Sequence, residues 1–145
     1  MPLKLPPRNN NVVTPHDHEG ILHDDGIIRR ISEEYVVYDE KIGGRRLSSK
    51  AFQASSEENG GMSIDLQRQI EEAGIDAREF VTTPCWTGSV IFKAGDLRNE
   101  EFKVGFDPIT DNPYHGQVWG NFTNGKKKRM RRFCVWFVPI DNVSI

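Results

Sequence analysis

The apolar residues of this chain arrive in short runs, several of them closed off within a few positions by glycine, proline, asparagine or aspartate. Runs such as Ile27-Ile28-Arg29-Arg30-Ile31 and Val90-Ile91-Phe92 are rich in β-branched and aromatic side chains, which suit a pleated strand better than a helix. With 13 Gly and 8 Pro distributed along 145 residues, long helices have little room. The reading is α+β: a single compact domain with a mostly antiparallel or mixed sheet and two or three short helices. A chain of this size buries roughly two-thirds of the surface its unfolded form exposes, so one core is expected.

Residues 1–20 contain Pro2, Pro6, Pro7, Pro15 and three consecutive asparagines, which favour extended or turn backbone. They read as a flexible or surface-hugging N-terminal arm, with the domain proper over 21–145. Strands are expected at 27–31 and 35–38, followed by a turn at Gly43-Gly44, and again at 48–54 with Phe52 inward. Asp65 is placed to cap a helix running to Ala73, with Leu66, Ile70 and Ala73 on one face and Gly74 as its left-handed stop. A helical turn over 76–80, a strand over 87–93, a brief helix or turn over 94–99, and strands over 102–106 and 116–120 follow. The last segment fits helical spacing through Met130, Phe133, Cys134 and Phe137, while 133–138 also fits a buried strand; the helix, over 126–136, is preferred.

No apolar run is long enough for a signal-peptide core or a membrane span, so a cytoplasmic protein without membrane contact is expected. In a reducing compartment Cys85 and Cys134 read as buried thiols, and the two Asn-X-Ser/Thr matches at Asn121 and Asn142 carry no meaning. The formal net charge is −2, but Lys126, Lys127, Lys128, Arg129, Arg131 and Arg132 concentrate six positive charges, leaving −8 on the rest. Such a segment can neutralise phosphates, with Trp119, Phe122 and Trp136 near enough in sequence to stack on bases. If it is helical, Met130 and Phe133 dock inward and the cations form a solvated face, which is the preferred reading.

Four residue groups suggest chemistry. His16, His18 and His23, among Asp17, Glu19, Asp24 and Asp25, offer metal-ligand types, but their spacing matches no zinc signature and no metal is expected. Arg29-Arg30 and Ser48-Ser49-Lys50 together suit an anion, because guanidinium forks and hydroxyls match phosphate oxygens. His115, beside Asn112 and Tyr114 after a proline-fixed loop, stands where a general base or ligand contact is often found. Cys85 with His115 as nucleophile and base is a further arrangement, set against the ordinary outcome of a buried thiol beside Trp86.

The ordered set Ile28-Arg29-Arg30-Ile31, Ser48-Ser49-Lys50-Ala51-Phe52, Met62-Ser63-Ile64-Asp65, Asp107-Pro108 and Asn112-Pro113-Tyr114-His115-Gly116 with Gly120 resembles a group of small uncharacterised bacterial proteins. The likeness covers residues 28 to about 138 and implies a bacterial origin and a shared fold, but no reaction. An early-strand arginine followed by Ser-Ser is also similar to the ADP-ribosyltransferase superfamily and its RES-type relatives; only Glu100 and Glu101 are available for their late catalytic glutamate.

These readings combine into a bacterial accessory or binding module without a cofactor, acting through a protein partner or a small anionic ligand near Arg30, Ser48, Ser49, Asn112 and His115. One alternative is a small nucleotide-handling transferase or hydrolase, with Arg30 on a phosphate, Ser49 positioning substrate and His115 as acid/base. The other is nucleic-acid binding through residues 126–132, which is not favoured.

Overall fold

A computed structural model describes residues 2–84 and 87–145. In chain order its elements are β1 (Arg8–Asn9), β2 (Val12–Val13), β3 (Gly26–Ile31), β4 (Val36–Asp39), β5 (Gly44–Leu47), β6 (Met62–Leu66), α1 (Gln67–Glu72), α2 (Ala77–Thr82), β7 (Gly88–Lys93), α3 (Ala94–Asn99), β8 (Lys103–Phe106), β9 (His115–Trp119), α4 (Asn124–Phe133), β10 (Val135–Val138) and β11 (Val143–Ser144). Six strands form one sheet in the order β10-β7-β3-β6-β9-β8, with every pairing antiparallel. A second sheet, β11-β5-β4, is mixed: β4 and β5 form a hairpin, and β11 runs parallel to β5. The fold is α+β. No helix among the described residues is long and apolar enough to cross a membrane.

Successive side chains of a strand point to opposite faces, and the large sheet uses its two faces differently. Ile27 and Ile31 of β3, Met62, Ile64 and Leu66 of β6, Val90 and Phe92 of β7, and Val104 and Val118 enter the main core with Phe52, Leu97 and Met130. The opposite face carries Ile28, which packs under α1 and α2 with Ile70, Ala77, Val81 and Phe137. These helices cover only part of that face. The uncovered part presents Arg30, Ser63, Asp65, His115 and Gln117, because Ile28 pairs with Asp65, Ser63 with Gln117 and Asp65 with His115 in register.

Several local expectations change in the fold. Asp65 does not cap a helix: Met62-Ser63-Ile64-Asp65-Leu66 alternates apolar and polar and is a strand, so α1 begins at Gln67 with no side-chain cap. The expected strand at 48–54 is a 3-10 turn over Ser49–Ala51, because the Ser48 hydroxyl accepts the Lys50 N–H and bends the backbone out of the ladder. Phe52 nevertheless points into the core, fully buried. In the last segment helix and strand are both realised in succession, α4 ending at Phe133 and β10 starting at Val135. Asp76 caps α2 by accepting the Arg78 and Glu79 N–H groups, and Gly74 takes the left-handed conformation after α1.

Residues 16–18 lie along the edge of the sheet, and Val13 and His18 are buried. β8 is an edge strand, and its outward N–H groups are met by this segment: Val104 N–H donates to the Asp17 carboxylate at 2.9 Å and Phe106 N–H to His16 Nε2 at 3.1 Å. The His18 N–H donates to the Val104 carbonyl. Covering an edge in this way removes a template for intermolecular strand pairing.

Candidate functional site

The site originates in an interrupted ladder. β3 and β6 pair only at Ile27–Leu66 and Ile28–Asp65; beyond that point β3 continues beside β7 and β6 beside β9. The strands therefore part along Arg29–Ile31 and Met62–Ile64. A pocket of about 670 Å³ opens there, walled by Phe80, Thr83 and Pro84 on one side and by Ile109, Asp111 and Asn112 on the other. This volume is in the range of small-molecule sites.

Arg29 reaches across the gap. Its Nη1 donates to the Ser63 carbonyl, which the broken ladder leaves without a strand partner, and its Nε donates to the Ala51 carbonyl, both at 3.1 Å. Among the described residues no carboxylate pairs with it. Burial lowers its pKa from the ordinary guanidinium value, and the nearby Tyr35 phenol only partly offsets this. The result is a half-buried cation held by neutral acceptors and lining the pocket.

Arg30, one residue on, is committed differently. Its Nε donates to Asp65 Oδ2 at 2.9 Å, its Nη1 to the Thr83 carbonyl, and its guanidinium lies over the Phe80 ring. Asp65 is 5% exposed and also accepts from Asn112 Nδ2 at 2.6 Å. This network ties four separate parts of the chain, β3, β6, the end of α2 and the loop after β8, into one floor.

The third group is a line of hydrogen bonds along β6, β9 and β8. His115 Nδ1 lies 2.8 Å from the Asp107 carbonyl and 3.4 Å from its carboxylate. Carbonyl and carboxylate can only accept, so in the neutral ring the proton sits on Nδ1 and the Nε2 lone pair faces the Ser63 hydroxyl at 3.0 Å. Gln117 Nε2 donates to the Asp107 carboxylate at 2.6 Å and holds it in place. Burial pulls the His115 pKa down, but the bonds to Asp107 and the charges of Asp107 and Asp65 outweigh it and raise the value above 6.5. Burial pushes the Asp107 carboxyl up, while His115, Gln117 and Arg8 outweigh that and hold it below 3.8.

The sign of the His115 shift fixes a pH dependence. A raised folded-state pKa adds stability that is complete below the unfolded value and is lost as pH climbs through the folded one. The stability difference between the native chain and His115→Gln is therefore expected to shrink as pH rises from about 6 to about 8, around the ordinary histidine range. Denaturant melts at several pH values measure it; a difference that grows with pH would contradict the shift.

Of the residues singled out in the sequence, Arg29, Arg30, Asn112 and His115 line this one pocket. Ser48 and Ser49 form the 3-10 turn behind it and are not among the lining residues. Ser63, Asp65 and Asp107 do not stand out in the sequence as site residues; the alternation of Met62–Leu66 is the signal that turns Ser63 and Asp65 to a common face. His16 and His18 spend both ring nitrogens on backbone groups, and His23 Nδ1 faces Arg98. No group of three His, Cys, Asp or Glu among the described residues is placed to hold a metal ion.

Cys85 and Trp86 lie outside the described residues. Cys134 is buried, and burial pushes its thiol up to about 12. In α4, Arg129 pairs with Glu100 and the Lys126 ammonium lies over the Phe102 ring, while Lys128 and Arg132 are exposed. Trp119 is buried and donates its indole N–H to the Asn59 carbonyl, and Phe122 packs on Phe102. Glu100 is engaged by Arg129, and neither it nor Glu101 lines the pocket. No family model, curated protein or solved structure matches the chain.

Proposed function

We propose that the pocket between β3 and β6 binds a small anionic molecule, and that the chain serves as a ligand-binding module in the cytoplasm of a bacterial cell. The observation that carries this reading is Arg29, a half-buried guanidinium facing the pocket with carbonyl acceptors and, among the described residues, no carboxylate partner. A buried cation without a counter-charge is costly, and an anion that enters beside it offsets that cost. Glu34 and Asp111 also line the pocket, but both are exposed and their charges are screened by solvent. The bacterial setting rests on the resemblance in sequence.

Thermal unfolding in inorganic phosphate, in citrate and in adenosine monophosphate, with ionic strength matched by chloride, tests the reading. At tenfold excess over Kd a bound anion stabilises by about 1.4 kcal/mol, or roughly 4 °C for a domain of this size. Arg29→Gln is expected to remove the shift. Melting points that follow ionic strength alone would overturn it.

A further inference from the structure

The pocket also holds an unassigned nucleophile. We infer that Ser63 attacks acyl carbon, with His115 as its general base and Asp107 as the positioning residue, and that the substrate is an ester carrying an anionic group. This inference rests on the anion-binding reading for its substrate class and on separate geometry for its chemistry.

That geometry is the relay described above. Ser63 is exposed, so its hydroxyl is accessible from the pocket it lines. Its Oγ stands 3.0 Å from His115 Nε2, and the opposite ring nitrogen is fixed by Asp107 at 2.8 Å through the carbonyl and 3.4 Å through the carboxylate. A serine, a histidine held in one tautomer and an orienting aspartate define the acyl-transfer constellation by roles and distances, on whatever fold they occur. His115 and Asp107 side chains are 13% and 14% exposed, which shields the relay from water while leaving the serine open. Arg29 binds the main-chain carbonyl of Ser63 itself, so the cation and the nucleophile share one residue. An anionic arm on Arg29 would lie next to an acyl group at Ser63.

In the first half-reaction the Ser63 oxygen forms a bond to the acyl carbon while its proton passes to His115 Nε2. The carbon–oxygen bond to the alcohol breaks, and the alkoxide leaves with the proton from His115. Water then attacks the acyl carbon, giving its proton to Nε2; the bond to Ser63 breaks and the serine oxygen recovers that proton. The products are an alcohol and a carboxylic acid.

A fluorophosphonate probe, which labels activated serines, tests the full chain. One adduct per chain is expected, on the peptide containing Ser63 by mass spectrometry, absent in Ser63→Ala and slowed about 100-fold or more in His115→Gln, the scale of general-base catalysis. Circular dichroism confirms that each variant is folded. The labelling rate is expected to rise with pH through the His115 ionisation, and in Asp107→Asn the midpoint of that rise moves down, which a purely structural role would not produce. Hydrolysis of the p-nitrophenyl monoester of succinate is expected to exceed that of p-nitrophenyl acetate, the excess being lost in Arg29→Gln.

No adduct on Ser63, an adduct on another serine, or an unchanged rate in His115→Gln overturns the nucleophile. Where anion-dependent melting survives such a result, the binding reading stands without it. Equal rates on the two esters overturn the anionic substrate class, even with Ser63 labelled.

Discussion

Replacing Asp65 with alanine is expected to lower stability by about 3–5 kcal/mol, the scale for removing one partner of a buried ion pair. Asp65 is 5% exposed and the Arg30 side chain 18%, so water reaches the abandoned guanidinium only in part. The loss is larger than that of a surface pair, which contributes about 0–1 kcal/mol, because three donors lose their acceptor together: Arg30 Nε and Nη2, and Asn112 Nδ2. The Thr83 carbonyl and the Phe80 ring still hold Arg30 in place, so the charge cannot simply swing into solvent. A fall of roughly 10 °C in Tm corresponds to this loss for a domain of this length. Asp65→Asn, which retains one acceptor oxygen, is expected to recover part of it. Urea unfolding of the three proteins measures both effects; a loss under about 1 kcal/mol for the alanine variant would show the pair to be solvated.

The second large effect lies on the opposite face of the sheet. Phe52 is fully buried and meets Phe92 edge-to-face at a centroid distance of 5.4 Å. Phe52→Ala is expected to cost about 3–5 kcal/mol through lost burial and the cavity left behind. It also reaches the site, since Phe52 anchors the 3-10 turn whose Ala51 carbonyl accepts from Arg29. Phe52→Leu, which fills most of the volume, is expected to cost much less. Thermal melts of the two variants separate cavity formation from loss of the aromatic pair, and equal losses would show that the ring contact dominates.

The two substitutions bracket what could be read from residues alone. That Phe52 is a core residue follows from its type and neighbours, and it is buried although the segment around it is a 3-10 turn rather than a strand. Asp65 reads locally as a helix cap because an aspartate stands just before an apolar-periodic run. The competing signal, alternation over Met62–Leu66, prevails because pairing with β3 and β9 buries three of its apolar side chains at once. A similar contest explains residues 126–138, where a helical period and a strand-like run are both present and each takes part of the segment. Arg30, Asn112 and His115 stood out by type and loop position. Ser63 and Asp107 did not, since a serine in a strand and an aspartate before a proline become a relay only beside a histidine from elsewhere in the chain.

Short range and long range divide the molecule in the same way. Periodicity, turn residues and β-branched content are properties of neighbouring residues, so the α+β class and the positions of β3, β7, α3, β8 and β9 are legible in the amino-acid sequence by itself. Which strands become neighbours, and where a ladder stops, depends on the energy of burying both faces of the sheet together. That balance parts β3 from β6 after Ile28 and Asp65, turns Arg29 onto the carbonyls of Ala51 and Ser63, and sets Ser63 against His115.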